Sequence, residues 1–351
     1  MRVLINALSG IGDALMFSPA LKILHDKYPN YKFDMLVMFD SVKELYRTSP
    51  YLSNIYHIDF LNQSTLKSLR EIKDLRKNDY FISINVYPSN RYEYNVLSFM
   101  IGAQKRLGHK YIHKSSTNMG FLNNIVVDEE KDVHNVIQNI NLIRKLYDIN
   151  DEEISGLEIF LSEDDDNLAK LWLNKEGINP GKTLVGFHAG SSTLKNHINK
   201  RWDMRKFANL GNSLIEKNNA SILLFGSEVS LNMEINKLMG NRGIIASTSN
   251  YMDSMARLKQ CNLFVSNDTA FLHSAAAFRI PVVAIFGYTN HNELYPWKTN
   301  HIVVRKELDC SPCFFNSPRP ASCIWKGADE FKCIRTIDLD EVYSACVKLL
   351  N

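Results

Sequence analysis

Short apolar runs separated by amphipathic stretches recur along the chain, and this alternation constrains the fold more than any other feature. RVLINAL, FDMLVM, NIYHI and DYFISINV have the length and apolar content of buried strands. Segments between them, such as LNQSTLKSLREIKDLRKN, carry apolar residues at helical spacing. Alternation of this kind implies a parallel sheet covered by helices. The rhythm restarts with TLVGFHAG, ASILLFGS, GIIAS, NLFVSN and PVVAIFG, with helices expected in RKFANLGNSLIEKN, EVSLNMEINKLMG, YMDSMARLKQ and TAFLHSAAAF.

At 351 residues the chain is longer than one hydrophobic core usually serves, which makes two α/β lobes in series the expectation. A first domain is expected over residues 1–165, a second over 166–335, and a last helix within 336–351 that packs back on the first domain. The opening turn SGIGD should lead into one helix, ALMFSPALKILHDKY, and the acidic run SEDDDN should cap the helix that follows it. Between residues 85 and 130 the pattern weakens into polar and aromatic material. A basic cluster there, Lys105, Arg106, His109, Lys110, His113 and Lys114, reads as solvated surface, with recognition of an anionic acceptor as the functional alternative.

Hydrophobic residues make up 45% and charged residues 23%, and no apolar run reaches the roughly 18 residues that span a bilayer, so a soluble or peripheral protein is expected. Asp13 and early glycines interrupt the apolar N-terminus before any cleavage-like site, which argues for a strand and turn rather than a leader. A net charge of +3 is too mild to indicate nucleic-acid binding. Six cysteines without a secretory signal argue for a reducing compartment, the cytoplasm, and for thiols or metal ligands over disulfides.

Ligands of open α/β sheets bind beyond the carboxyl ends of the strands, so three loops attract attention. LSGIGD brings backbone amides close to a ligand through Gly10 and Gly12 and sets Asp13 at the same mouth. A carboxylate there can take a proton from a hydroxyl, or simply cap the helix. HAGSSTLKNHINKRW is long and polar, with Ser191, Ser192, Lys195, Lys200 and Arg201 suited to a diphosphate or, alternatively, to water. VSNDTAFLHSAAA ends a strand, places Asp268 at a helix N-cap and turns the amides of Thr269 and Ala270 toward an anion; a bare cap with a part-buried His273 is the plainer alternative.

Taken in this order, LSGIGDALMFSPALK, KRW, FGSE and VSNDTAFLHSAAAFRIPVVAIFGYT resemble the motifs of glycosyltransferase family 9, the heptosyltransferases. The resemblance implies an α/β GT-B fold: two Rossmann-like domains facing each other across a cleft, acceptor on the N-terminal one and nucleotide sugar on the C-terminal one. It implies inverting transfer of a sugar, heptose from ADP-heptose foremost, to a hydroxyl of a lipopolysaccharide-type saccharide, with peripheral contact at the cytoplasmic face of the inner membrane. Position by position, Asp13 matches the general base, with Gly10 and Gly12 beside it on the acceptor side. Ser191 and Ser192 match hydroxyls that contact donor phosphates, and Lys200 matches the diphosphate-binding lysine that also assists the leaving group. Glu228 matches the acid that holds the nucleoside, and Asp268, Thr269 and His273 match the donor segment. Ala270 stands where the family has glycine, and its methyl group alters how a donor approaches the backbone.

CSPCFFNSPRPASCIWKGADEFKC is a separate signal. Cys310, Cys313, Cys323 and Cys333 suit a structural tetrahedral zinc or iron centre, with reduced thiols as the alternative. A branch of the family that heptosylates proteins is similar in carrying a four-cysteine iron site, so a protein acceptor stands as the alternative to a saccharide, and an oligomer is compatible with either. The transfer itself is expected to need no cofactor. Two other classes compete: a catalytically weak nucleotide-sugar-binding protein, and an NAD-type oxidoreductase, which the lack of a full G-x-G-x-x-G disfavours.

Overall fold

The computed structural model of the chain describes residues 1–178, 181–316 and 319–351. Two compact units emerge, the first built from Met1–Phe160 with a short stretch at Asn316, the second from Leu161–Phe315 and Arg319–Asn351.

In the first unit the strands are β1 (Arg2–Ala7), β2 (Lys32–Val37), β3 (Asn54–His57), β4 (Ile82–Asn85), β5 (Lys105–Lys110) and β6 (Ile125–Asp128). They form one parallel sheet in the order β3-β2-β1-β4-β5-β6. Val3, Leu4, Ile5 and Ala7 of β1 are all buried, as a central strand covered by helices on both faces requires. The second unit repeats the plan with β7 (Leu184–His188), β8 (Ser221–Leu224), β9 (Ile244–Ile245), β10 (Leu263–Asn267), β11 (Val282–Ile285) and β12 (His301–Val304), ordered β12-β11-β10-β7-β8-β9. Counted from its own first strand, each sheet has the doubly wound order 3-2-1-4-5-6, whose switch point falls between the first and fourth strands. Those pairs are β1 with β4, and β7 with β10.

The α/β class expected from the alternation is therefore present, twice. Ser162 and Asp165 form the expected capping box at the start of helix Glu163–Lys175, each accepting the other's backbone N–H, and the second unit begins just before it.

Several local expectations are corrected. The helix after SGIGD is two helices, Ile11–Leu15 and Ser18–Lys27, because Pro19 in the first turn of the second lacks the N–H that would continue the ladder. Residues 85–130 are not an interruption of the pattern. They supply helix Tyr92–Ile101, ended by Gly102 in a left-handed conformation (φ 78°), and strands β5 and β6. The basic cluster is consequently dispersed: His109 is buried, and Arg106 donates to the carbonyls of Leu122 and Ala103, while Lys105 and Lys110 remain exposed. The last helix, Leu339–Leu350, is part of the second unit. Val342, Ala345 and Cys346 are buried in the core of the second unit, and Tyr343 donates to Asn218 there. Among the described residues no helix is long and apolar enough to cross a membrane.

Candidate active site

The site of the second unit grows from the adjoining ends of β7 and β10. Asn267, the last residue of β10, is fully buried and ties three segments together. Its Nδ2 donates to the carbonyls of Ala189 and Gly190 beyond β7, and its Oδ1 accepts the Trp202 N–H. Trp202, itself buried, donates its indole N–H to the Ile337 carbonyl. A fully satisfied polar knot of this kind fixes the loop entrances without leaving an orphaned group.

Asp268 follows directly. Its carboxylate is 5% exposed and lies 2.6 Å from Lys200 Nζ. Burial pushes the carboxyl up, but Lys200 and the nearby His273 more than offset this, so Asp268 ionises below the usual carboxylate range. Burial pushes His273 down to about 4, leaving a neutral imidazole, and its Nδ1 has no hydrogen-bond partner among the described residues. Thr269 caps helix Ala270–Ala277 in an extended conformation without using its side chain on the first-turn amides. Its hydroxyl instead lies 2.9 Å from His188 Nδ1.

Glu228 joins them from the loop after β8. Its Oε1 accepts the Ser191 N–H at 2.9 Å and Arg201 Nη2 at 3.3 Å, and its Oε2 lies 3.8 Å from His188 Nε2. Burial raises the Glu228 carboxyl while His188 and Arg201 lower it, with a net fall. Gly190 permits this approach, since a Cβ there would overlap the Glu228 carboxyl. The second loop coils into 3-10 turns over Leu194–Lys200, broken by a kink at Lys195 and Asn196 whose backbone is not helical. Ser191 donates to the His197 carbonyl and accepts from Arg201, and Ser192 accepts the Leu194 N–H, so both hydroxyls shape this loop.

In the first unit Asp13 lies half-buried in the first turn of helix Ile11–Leu15, just past the end of β1, with Gly10 exposed before it and Gly12 at its side. Beneath it Asn6 Nδ2 donates to Asn85 Oδ1, which joins β1 to β4 at the switch point. Ser9 donates to the Pro88 carbonyl and Tyr94 to the Leu8 carbonyl. Tyr94 is raised by burial, and the Asp13 charge adds to that rise.

The four cysteines of the C-terminal stretch are free thiols that line one small pocket with Tyr288, Trp325 and Phe331. Burial and the neighbouring thiols push Cys333 up to about 11 and raise Cys313. Cys323 Sγ accepts the Phe331 N–H at 3.3 Å. No group of three or more His, Cys, Asp or Glu among the described residues is placed as a set of metal ligands.

Sequence patterns had singled out Asp13, Lys200, Glu228, Asp268, Thr269 and His273. The structure gathers the last five around one switch point and sets Asp13 at the other. Asn267, His188 and Tyr288 were not anticipated as parts of it. Arg201, expected as one of the cations of its loop, is at the site through its bonds to Ser191 and Glu228.

Two doubly wound α/β units, each with polar side chains at its switch point, define the chain as Rossmann-like in architecture. The model of glycosyltransferase family 9 (heptosyltransferase) matches residues 68–321, and the chain belongs to that family. It is a glycosyltransferase of the α/β GT-B class. The lipooligosaccharide heptosyltransferase 2 of Campylobacter jejuni is 25% identical across 99% of both chains. The lipopolysaccharide heptosyltransferase 3 of Escherichia coli K12 is 24% identical over 83% of this chain and 84% of its own. Among solved structures, the family 9 glycosyltransferase of Veillonella parvula aligns with a TM-score of 0.78 at 19% identity, covering 99% of this chain and 97% of that one. The E. coli ADP-heptose lipopolysaccharide heptosyltransferase II aligns at 0.73 and 19%, covering 100% and 98%. The iron-containing dodecameric glycosyltransferase TibC of enterotoxigenic E. coli aligns at 0.60 and 14%, covering 99% of this chain and 78% of that one.

Proposed function

We propose that the chain transfers heptose from ADP-heptose, with inversion, to a hydroxyl of a lipopolysaccharide-type saccharide. The observation that carries this reading is the charge arrangement at the end of β7 and β10: one cation, Lys200, held by a buried carboxylate beside an uncapped helix start. An ammonium has three N–H donors, so Lys200 can keep Asp268 and still offer two to a diphosphate. The first-turn amides beyond Thr269 add positive potential at the same place. Charge that grows on the leaving nucleoside diphosphate is met by groups already in position, which lowers the barrier without reorganisation. Glu228, ionised and half-exposed, accepts ribose hydroxyls, and Asp268 accepts hydroxyls of the sugar. Asp13 takes the proton of the acceptor hydroxyl as that oxygen attacks the anomeric carbon. The relatives, heptosyltransferases of lipopolysaccharide and lipooligosaccharide by name, favour the heptose and the acceptor, and the E. coli ADP-heptose enzyme among the solved structures favours the donor nucleotide.

The four cysteines fit a structural metal ion in the chemistry of their donor set: soft sulfur ligands around one pocket, with a backbone N–H on Cys323. The thiols raise one another, and a cation would offset that repulsion and draw them to ligand distance. The iron-containing TibC neighbour favours iron over zinc. Bound there, the ion would supply cross-linking of the C-terminal stretch and no step of the transfer.

The test is transfer from ADP-heptose to a heptose-deficient lipopolysaccharide core, with ADP release and the product's anomeric configuration read by NMR. UDP- and GDP-sugars serve as competitors. Transfer from one of those but not from ADP-heptose would overturn the donor, and retention of configuration would overturn the mechanism.

A further inference from the structure

The loop that carries Lys200 holds a backbone its own sequence does not favour. Lys195 and Asn196 both sit in the left-handed region, with φ of 53° and 62°. Asn adopts that conformation readily, but for a lysine it is uncommon and is held by the surroundings. The enforcing partner is Ala321, in the cysteine-bearing stretch: its N–H donates to the Lys195 carbonyl at 2.8 Å, and Asn196 Nδ2 donates to its carbonyl at 2.9 Å.

A second tie runs through Tyr288, which is 2% exposed. Its hydroxyl lies 3.0 Å from His197 Nδ1, on the same 3-10 segment as Lys200. Its carbonyl accepts the N–H groups of Cys313 at 3.0 Å and Phe314 at 3.2 Å. It is among the residues that line the pocket of Cys310, Cys313, Cys323 and Cys333, and its ring centroid lies 5.6 Å from that of Phe331, another lining residue. Next to it, Ser311 donates to the Gly287 carbonyl at 2.8 Å. One residue thus touches the Lys200 loop with its side chain and the thiol pocket with its ring and backbone.

We propose that Tyr288 is a positioning residue for donor binding. Together with the Asn196–Ala321 pair it hangs the Lys200 loop on the cysteine-bearing stretch, so that ligation at the four thiols is felt as a change in affinity for the donor's nucleoside diphosphate. The inference rests on the reading that the diphosphate binds at Lys200. With the ties cut, the two left-handed residues relax and Asp268 alone holds Lys200. The ammonium then samples positions from which it cannot reach a phosphate, and binding weakens by the fraction of time it is misplaced.

The experiment is calorimetric titration of the full chain with ADP, in the wild type and in Tyr288→Phe, Asn196→Ala, Cys313→Ser and Tyr288→Phe/Cys313→Ser. The melting temperature of each variant and the kinetic constants for transfer accompany it. Tyr288→Phe keeps the ring packing and loses one hydrogen bond, so ADP should bind about 5-fold more weakly. The donor KM should rise by a similar factor with a smaller fall in kcat, a split that general loss of structure would not produce. Cys313→Ser should weaken ADP binding in the wild-type background and add little in Tyr288→Phe, because both act through one linkage. Wild-type affinity in both Tyr288→Phe and Asn196→Ala overturns the inference, whatever their melting temperatures. Loss in Tyr288→Phe with none in Cys313→Ser overturns the link to the thiols. If the wild type fails to bind ADP, the donor-site reading falls and takes the inference with it.

Discussion

Lys200 and Asp268, 68 positions apart in sequence, meet as an ion pair of 2.6 Å in which the carboxylate is almost wholly enclosed. A pair of this kind is weak testimony to stability while it is intact, but removing one member strands the other charge away from water.

Lys200→Met should therefore destabilise the fold by about 3 kcal/mol, and adding Asp268→Asn to it should recover much of that loss. Urea unfolding of the two single variants and the double variant measures the coupling. Both backgrounds should lose transfer, since the cation for the diphosphate is missing in each. Additive stability losses would show that the pair is not coupled in solution.

Acid should destabilise the chain in two stages. His273 and His109 are buried, and burial depresses each folded imidazole from 6.5 to about 4. Between those values the unfolded state binds more protons than the folded one, so their contribution is complete above about pH 6.5 and is lost as pH falls through that window. Each is worth up to roughly 3 kcal/mol. Asp268 and Glu228, both held below their ordinary values of 3.8 and 4.5, add a further loss below about pH 4.5. The urea midpoint should thus fall from pH 7 to pH 5, and His109→Phe should flatten the slope. An unchanged slope in that variant would mean that His109 takes its proton in the folded state.

Asp13→Asn should reduce kcat by at least about 100-fold while leaving ADP affinity near wild type, because an amide keeps the shape but cannot accept the acceptor's proton. Near-normal turnover in this variant would remove Asp13 from the mechanism.

Gly190→Ala should be a variant of binding more than of folding. Its methyl group collides with the Glu228 carboxyl, the movable end of a side chain, so the chain stays folded while Glu228 leaves the Ser191 N–H. ADP binding should weaken by about 10-fold, with little change in affinity for inorganic diphosphate, which lacks a ribose. Equal losses for both ligands would place Glu228 elsewhere than at the nucleoside.

Metal analysis of protein purified without added metal should find about one ion per chain, and its removal by chelation should lower the melting temperature. Carefully prepared protein without metal would return Cys310, Cys313, Cys323 and Cys333 to plain thiols.

Much of this molecule was legible because central strands such as RVLINA are apolar on both faces and the segment of Asp268 and His273 directly follows one of them. What stayed hidden was polar structure inside. KRLGHK forms β5 with a buried histidine at its heart, and around it Asn85, Asn95, Asn118 and Asn123 are all buried and bonded to one another or to backbone, so a stretch that looks solvated is interior. HIVV, the edge strand β12, is too short to stand out. The pairing of Lys200 with Asp268, and of Asn196 with Ala321, depends on long-range closure that no local pattern encodes.

Trp202 has a use beyond its packing. Its ring is enclosed, its indole N–H is committed to the Ile337 carbonyl, and its main chain follows Lys200 and Arg201 without a break. Such an indole emits at short wavelength and responds to any shift in the charges beside it. With Trp172, Trp297 and Trp325 replaced by Phe, Trp202 would be a fluorophore of the chain's own at the mouth of the second unit, through which the arrival of a ligand can be followed in real time with no label attached.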